Sequence, residues 1–522
     1  RKWRDSVAQR ADGARRFGVT AYHSARVAVV YKTAAMKHLP REKRGADGKH
    51  SDAYNEARRA PAYQEALRAA HLEASGRLMR VCKQHGGVYT KFGQYISSMN
   101  HVLPKEFTDT MSVLQDKAPR MTMEDVAGVV ETELGAPLTE LFESFDAEPI
   151  GAASIAQVHR ARTRDGRDVA VKIQYRGLPR QVAGDITTMR LLVRALGLAF
   201  PEFEYTWLFP EFEENLKLEM NFEQEGRNGD RLRAMFAGRP DVYVPRVHWD
   251  LSSTRVLTME YIDGVKVDKP GRLVAMGIEP AVIAQKISTV FSDMVLYHGF
   301  VHCDPHPGNL FVRLVTPEGG GKPFPQLVVI DHGMYRRLTE SFRVAYCKLW
   351  KAMILRDNAL LVEAARELGV GKYAAFLPVI FTFRTMSSKA KLGRFMNTQE
   401  VAELRDMAKD ITWGDVNAFL EAMPRDILFV TRSMNLVRSL NMSLGGTSGQ
   451  RFRVLGESAI RGLSLTEDAA ATGAAELHAH AAPGETVDPT DVAVAVAAAQ
   501  EAGDAGATRG IGVGLLSAAE TA

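Results

Sequence analysis

Within His302-Cys303-Asp304-Pro305-His306-Pro307-Gly308-Asn309 an aspartate stands five positions before an asparagine, and Asp331-His332-Gly333 closes the apolar run 327–330. An Asp, an Asn five residues on and a second Asp before Gly can hold a divalent ion against nucleotide phosphates and aim an acceptor hydroxyl at them. Asp304 is the candidate to orient or deprotonate the acceptor, and Asn309 and Asp331 are the candidate metal ligands. Mg²⁺ takes a few protein oxygens and completes its shell with phosphate oxygens, which suits this set, with Mn²⁺ as the alternative ion. The same stretch also reads as H-x-D-x-H. His302, Asp304 and His306, with Asp331 and His332, could hold the transition metal of a hydrolase. That alternative leaves Asn309 and the upstream features below unused.

The upstream features are a small-residue segment and a lysine. In Gly151-Ala152-Ala153-Ser154 no bulky side chain would keep backbone N–H groups away from phosphates. It is not a G-x-G-x-x-G loop, and alone it also reads as an ordinary turn. Lys172, in Val-Ala-Val-Lys, follows it at the far side of a hairpin. Its ammonium could pair with α- and β-phosphates if a carboxylate held it. Glu219 and Glu225 are the candidates. Six positions apart on one α-helix, they would point about 120° away from each other and serve different partners. Glu225 is assigned to Lys172, and Glu219 to whatever packs on the adjoining side. Glu260 and Ile262, at the end of a strand over 255–261, complete the nucleotide-binding set.

These residues need a scaffold, and the 522-residue chain, 46% hydrophobic and 25% charged, has material for two or more domains. Residues 1–80 read as a basic helical segment with a polar loop at 41–52, and 81–145 as a further helical segment. The stretches 156–163 and 168–174 read as strand, turn and strand, with Val169, Val171 and Ile173 on one face and Lys172 on the other. Residues 146–264 therefore form one candidate unit. Ile283, Ile287, Val290, Phe291 and Met294 recur at helical spacing, opening a mostly helical unit over 265–463. The polar insertion 313–326 is expected to loop out between Asn309 and the Asp331 strand. Residues 464–522 read as an Ala-rich, acidic, mobile tail.

The net charge of +4 gives no argument for nucleic-acid binding, and none is expected. Charge is uneven: residues 1–60 carry fifteen Lys/Arg against six Asp/Glu, while 464–522 carries nine acids and one base. The basic end could touch an anionic surface or be a solvated face. Cys82, Cys303 and Cys347 form no C-x-x-C pair and imply neither a disulfide framework nor a zinc knuckle. Arg26 and Lys32 bracket the best early apolar run, so no membrane span is expected and any membrane contact is peripheral. The first residue is Arg rather than Met, so an upstream segment is expected to have been removed or left out, and any targeting peptide is out of sight.

Lys91-Phe92-Gly93-Gln94, Pro149-Ile-Gly-Ala-Ala-Ser-Ile-Ala-Gln-Val-His159, Val-Ala-Val-Lys172 and the His302–Asn309 stretch together resemble the UbiB, or aarF-domain-containing, family of atypical kinases over roughly residues 80–460. Asp-His-Gly and Cys303 look most like its mitochondrial subgroup. The resemblance implies an α+β, bilobal, protein-kinase-like fold. An N-terminal helical K-x-G-Q extension would lie over the site, with Lys91, Gln94 and Glu219 as regulatory contacts. It further implies binding of ATP, weak or conditional ATPase activity, and peripheral membrane association with lipid or prenyl quinone as partner, within a membrane-protein complex. The implied role is ubiquinone or lipid homeostasis and cristae organisation at the mitochondrial inner membrane, with a plastid as the alternative location.

Three positions depart from the family pattern. Asn221 replaces an acid two residues after Glu219, Gly151 replaces the first alanine of the loop, and His332 stands where kinases often have Phe. Gly151 is expected to loosen the cover through backbone freedom. No A-P-E segment follows Gly333, and a helical pattern begins at 340. A peptide-docking activation loop has little room, and protein phosphorylation is not the expected output. The alternative to an atypical kinase or ATPase is a nucleotide-gated scaffold or lipid-handling protein.

Overall fold

The computed structural model describes residues 2–40, 51–97, 99, 103–114, 120–152, 154–199, 208–317, 319–382, 386 and 424–480. The expected loop at 41–52 falls almost wholly outside these residues, as do Ala153 and positions 481–522. The chain divides into two compact units, Arg1–Lys286 with His302–Arg336 and Thr431–Gly445, and Ile287–Val301 with Arg337–Val430 and Gly446–Ala522.

The first unit opens on helices α1 (Lys2–His38), α2 (Asp52–Arg59), α3 (Pro61–His85), α4 (Gly87–Ser97) and α5 (Lys105–Met111). Gly86 and Gly87 both have positive φ, 63° and 49°, which lets the chain turn between α3 and α4 without the steric penalty a side chain would bring. K-F-G-Q lies within α4. A β-carbon on Gly93 would run into Leu114 and come within 3.2 Å of the Cys82 sulfur and 3.3 Å of the Met111 sulfur, so the glycine is what lets α4 close on α3 and α5. Phe92 packs on Phe212 with ring centroids 5.0 Å apart.

Helix α6 (Met123–Leu134) begins at Thr122, whose hydroxyl accepts from Asp125 N, and ends on left-handed Gly135. After the single turn α7 (Leu138–Leu141) come strands β1 (Phe142–Phe145), β2 (Gly151–Ala152), β3 (Ala156–Thr163) and β4 (Asp168–Gln174). The hairpin matches the alternation in the sequence. Val169, Val171 and Ile173 are fully buried under α6, each worth about 1.5–3 kcal/mol of burial. Lys172 pairs with Val158 on one side and Leu257 on the other, which fixes which face its side chain leaves from. The sheet order is β1-β3-β4-β6, with β2 added on β3.

Helices α8 (Leu178–Ala199), α9 (Leu208–Glu219) and α10 (Phe222–Met235) precede β5 (Val242–Tyr243), β6 (Val256–Glu260) and β7 (Val265–Lys266). The single helix assumed for Glu219 and Glu225 is two. Asn221 takes an extended conformation and its side-chain oxygen accepts from Gln224 N at 3.2 Å, capping α10 and ending α9. Helices α11 (Pro270–Ala275) and α12 (Pro280–Leu296) lead to β8 (Phe300–His302). Strands β9 (Leu310–Val315) and β10 (Phe324–Val329) pair antiparallel between β5 and β7. The insertion at 313–326 is thus largely a hairpin: Arg313 faces Gln326 in register, and its Nε donates to Gln326 Oε1 at 2.8 Å.

The second unit is helical in its described part, with α13 (Glu340–Leu355), α14 (Asn358–Glu367) and α15 (Leu377–Thr382). Helix α16 (Arg425–Ser443) continues into the first unit, and α17 (Ser448–His480) runs past position 464, where the sequence reading begins a tail. Gly462 in α17 is fixed by packing, since a β-carbon there would meet the Leu296 carbonyl and sit 2.8 Å from Arg343. No helix among the described residues is long and apolar enough to cross a membrane. The three cysteines are buried.

Candidate functional site

A cavity of the first unit, about 1010 Å³, gathers residues from many separate parts of the chain. Lys91, Gln94, Gly151, Ala152, Lys172, Glu219, Glu225, Glu260, Ile262, Asp304, Asn309 and Asp331 all line it. Two candidates remain. Ala153 lies outside the described residues, and Ser154 is buried with its hydroxyl lacking a partner among the described residues. Gly151 and Ala152 form strand rather than an open loop, pairing with Val158 and Gln157. An added β-carbon at Gly151 meets nothing within 4 Å, so the glycine is not required there by space.

Lys172 is the electrostatic centre. Its ammonium donates to both Glu225 oxygens at 2.7 and 2.8 Å and to Asp331 Oδ1 at 3.2 Å. Burial alone would lower its pKa, but Asp331 and Glu225 more than reverse this and raise it. Burial pushes Glu225 up to about 7, helped by Asp331 and Glu219 and opposed by Lys172. Asp331 is held well below the usual carboxylate range: desolvation opposes this, and Lys172 and then Lys91 outweigh it. Asp331 therefore remains an anion able to take a cation. Its backbone lies in the left-handed region, φ 59°, which Asp tolerates better than most residues and which turns it out of line immediately after β10.

The two glutamates have separate partners, as their assignment required, although the cause is the Asn221 break and not helical rotation. Glu219 Oε2 lies 3.1 Å from Lys91 Nζ, which ties the K-F-G-Q helix to α9. Asn221, in place of an acid, supplies the cap that separates them.

The stretch from His302 to Asn309 is tied to itself. His302 Nδ1 accepts from Asp304 N at 3.1 Å, His306 Nδ1 accepts from Gly308 N at 3.1 Å, and Asn309 Nδ2 donates to the Asp304 carbonyl at 3.2 Å. Asn309 O in turn accepts from Ile330 N at 2.9 Å, which links this loop to the residue before Asp331. His302 is fully buried, its ring 5.0 Å from that of Tyr335. His332 packs on Gly229, where a β-carbon would sit 3.0 Å from its ring, and its Nδ1 meets Tyr335 Oη at 2.9 Å. Burial, with His302 next in effect, pushes His332 down to about 3, so it is neutral. These histidines brace the loop. Among the described residues no three His, Cys, Asp or Glu side chains come together to hold a metal, which leaves the hydrolase alternative without a ligand set.

Glu260 accepts from Tyr243 Oη at 2.5 Å and lies at the end of β6, with Ile262 just beyond. The sequence reading missed one wall altogether. Arg432, Asn435, Leu436, Arg438 and Ser439 of α16 line the cavity. The signal available was a polar stripe, with Arg432, Asn435 and Ser439 at i, i+3 and i+7 opposite the buried Val430 and Val437.

A lysine held by a helix glutamate and an aspartate after a strand, beside an Asp-x4-Asn loop, is the arrangement the sequence motifs led us to expect. The ABC1 atypical kinase-like domain matches residues 113–365. AarF domain-containing protein kinase 1 of Xenopus tropicalis is 36% identical over 406 residues, 77% of this chain and 76% of that protein. The probable serine/threonine-protein kinase abkD of Dictyostelium discoideum is 37% identical over 402 residues, 77% of this chain and 57% of that protein. Among solved structures, the Rv3197–erythromycin complex from Mycobacterium tuberculosis is similar at 22% identity, covering 77% of this chain and 99% of that one, with a TM-score of 0.48. The chain belongs to the aarF-domain-containing, or UbiB, family of atypical kinases.

Proposed function

We propose that the protein is an atypical kinase or ATPase that binds Mg-ATP and acts beside a membrane on lipid or quinone chemistry rather than on proteins. The observation that carries this reading is Lys172, held by both oxygens of Glu225 and within 3.2 Å of Asp331, in one cavity with Asp304 and Asn309. The donor set suits a hard cation. Asp331 is ionised, and Asn309, whose Nδ2 is turned to the Asp304 carbonyl, keeps its side-chain oxygen for another partner. Two protein oxygens completed by phosphate oxygens are what Mg²⁺ takes. When bound, the ion would neutralise charge developing on the transferred phosphoryl group. Lys172 would position the nucleotide phosphates under the Gly151-Ala152 segment, Glu260 and Ile262 would border the base, and Asp304 would orient the acceptor hydroxyl.

In this reading the two lobes of the kinase-like fold are residues 146–264 and 265–463, with 1–80 and 81–145 as the extension. Lys91, through Glu219, and Gln94 would hold the K-x-G-Q helix against the cavity and limit access by large acceptors. The Asp-His-Gly motif favours the mitochondrial subgroup, an inner-membrane location and a role in ubiquinone or lipid homeostasis and cristae organisation. A second reading is that binding, not turnover, is the output. The contact of Lys172 with Asp331 Oδ1, which takes up one of the two carboxylate oxygens a metal would use, favours it.

Mg-ATP binding and hydrolysis, measured with and without liposomes and a soluble quinone analogue, separate the two. Turnover that Asp304→Asn and Asp331→Asn abolish is the expected result. Binding without turnover under every condition leaves the scaffold reading, and turnover indifferent to Asp331→Asn overturns the site.

A further inference from the structure

Helix α1 is used on one face and open on the other. Its inner face is pinned within the first unit. Arg16 Nε donates to Asp185 Oδ1 at 2.9 Å and its Nη1 to the His85 carbonyl at 2.9 Å, Thr20 Oγ1 lies 3.0 Å from Tyr89 Oη, and Tyr31 Oη lies 2.6 Å from His71 Nδ1. These contacts with α3, α4 and α8 fix the rotation of α1 about its axis and commit the opposite face to the outside. On that face stand Tyr22, Val29 and Met36, which are 59%, 54% and 65% exposed. They recur every seven residues, which sets them in one line along the helix with about 10 Å between neighbours.

Basic residues flank this line. At about 100° per residue, Lys32 lies about 60° to one side of Val29 and Arg26 about 60° to the other, with Lys37 about 80° round on the Arg26 side. Over 11–38 the sequence has one acid, Asp12, and it is paired with Arg15 at 2.9 Å. Helix α1 therefore carries no further acid over that stretch to offset Arg26, Lys32 and Lys37.

The pattern selects among occupants. A partner helix in a coiled-coil seam needs apolar residues at d as well as a, and with Tyr22, Val29 and Met36 at a the d positions are Ala25 and Lys32. A second copy seated on the same face would bring like charges together. A bilayer with anionic head groups needs what is present: apolar side chains on a convex face, an aromatic whose hydroxyl can stay at head-group level, and long cations that reach sideways to phosphates. No helix among the described residues is long and apolar enough to cross a membrane, so α1 would lie in the interfacial plane.

We propose that the outer face of α1 is a docking surface for an anionic lipid bilayer, with Tyr22, Val29 and Met36 inserted below the head groups and Arg26, Lys32 and Lys37 set against their phosphates. The inference rests on the proposed action beside a membrane and names the surface that makes the contact.

The test is flotation of the full chain with phosphatidylcholine vesicles, alone and with phosphatidylglycerol added. Wild type should bind the anionic vesicles, and raising salt from about 0.1 M to about 1 M, which shortens screening from about 10 Å to about 3 Å, should weaken that binding. A triple variant, Tyr22→Gln, Val29→Gln and Met36→Gln, keeps good helix formers at exposed positions and should lower vesicle affinity on the order of tenfold or more. Arg26→Gln and Lys37→Gln should each lower it roughly fivefold on anionic vesicles and leave neutral ones unaffected; these two carry the readout if the triple variant does not fold. Equal binding of wild type to neutral and anionic vesicles overturns the proposal, as does self-association through this face without vesicle binding. Vesicle binding unchanged in the folded triple variant overturns the α1 surface and leaves the membrane reading standing on another face. No binding of wild type to either vesicle overturns both. Stripe-dependent vesicle binding by a chain that fails to bind Mg-ATP sinks the nucleotide reading and leaves the docking surface in place.

Discussion

Replacing Glu225 with Gln tests the electrostatic centre with almost no change of shape. Glu225 is 2% exposed and Lys172 12% exposed, so the pair is nearly dry. Stranding one member of a buried ion pair ordinarily costs about 3–5 kcal/mol. Here the cost is smaller, because Asp331, 3.2 Å away, remains as counter-charge and the three-charge cluster becomes a balanced pair. What is lost is a charge-assisted interaction of about 1.5–3 kcal/mol. The loss is partly offset by no longer burying a carboxylate that desolvation pushes up to about 7. A net destabilisation of about 1–2 kcal/mol follows, measurable by urea unfolding followed by tryptophan fluorescence. Nucleotide binding should suffer more. With Glu225 neutral, Lys172 turns wholly to Asp331 and occupies the carboxylate the metal needs, so calorimetry should show Mg-ATP affinity lowered roughly 10- to 100-fold, the loss of one to two strong contacts. Unchanged affinity in a folded variant refutes the role given to Glu225. A destabilisation of the full ~3–5 kcal/mol refutes the compensation by Asp331.

Two glycines should behave oppositely. Gly93→Ala places a β-carbon against Leu114, Cys82 and Met111 and should cost about 1–3 kcal/mol in unfolding free energy, whereas Gly151→Ala meets open space and should leave both stability and nucleotide affinity near wild type. Acid should loosen the extension through His85, whose pKa burial and then Arg16 push down to about 4, against 6.5 when unfolded. Between those values the unfolded chain binds a proton that the folded chain refuses, so stability falls as pH drops from about 6.5 to 4. Thermal melts across that range should show the fall, and His85→Gln should make it shallower, with His332 supplying a remainder of the same sign; an unchanged slope would remove His85 from the account.

Chemistry was more legible in this chain than geometry. The hairpin carrying Lys172 could be read because Val169, Val171 and Ile173 alternate along β4 and all bury, although Ala170 and Gln174 on the other face are buried as well. Asp304, Asn309 and Asp331 could be grouped from residue type and spacing alone, and the fold brings the three to one cavity. The α9–α10 break was not legible, since a single Asn inside a polar helical pattern looks like a surface residue until its oxygen is seen capping Gln224. The ends of the 313–326 insertion were not legible either, because polar Arg313 and Gln326 pair across strands and so disguise strand as loop. Arg432 escaped because a lone arginine on a helix is usually solvated, and only tertiary packing reveals that two of its nitrogens are not.

The Asn221 cap also sets how the protein can be tuned. If Glu219 and Glu225 shared one rod, any shift that freed Lys91 would drag the Lys172 clamp with it. Because the rod is jointed between them, the grip on the outer helix and the grip on the inner lysine can be strengthened or relaxed as separate adjustments. A substitution that removed the cap would leave Gln224 N without its partner, cost about 0.5–2 kcal/mol and loosen the start of α10, on which Glu225 sits.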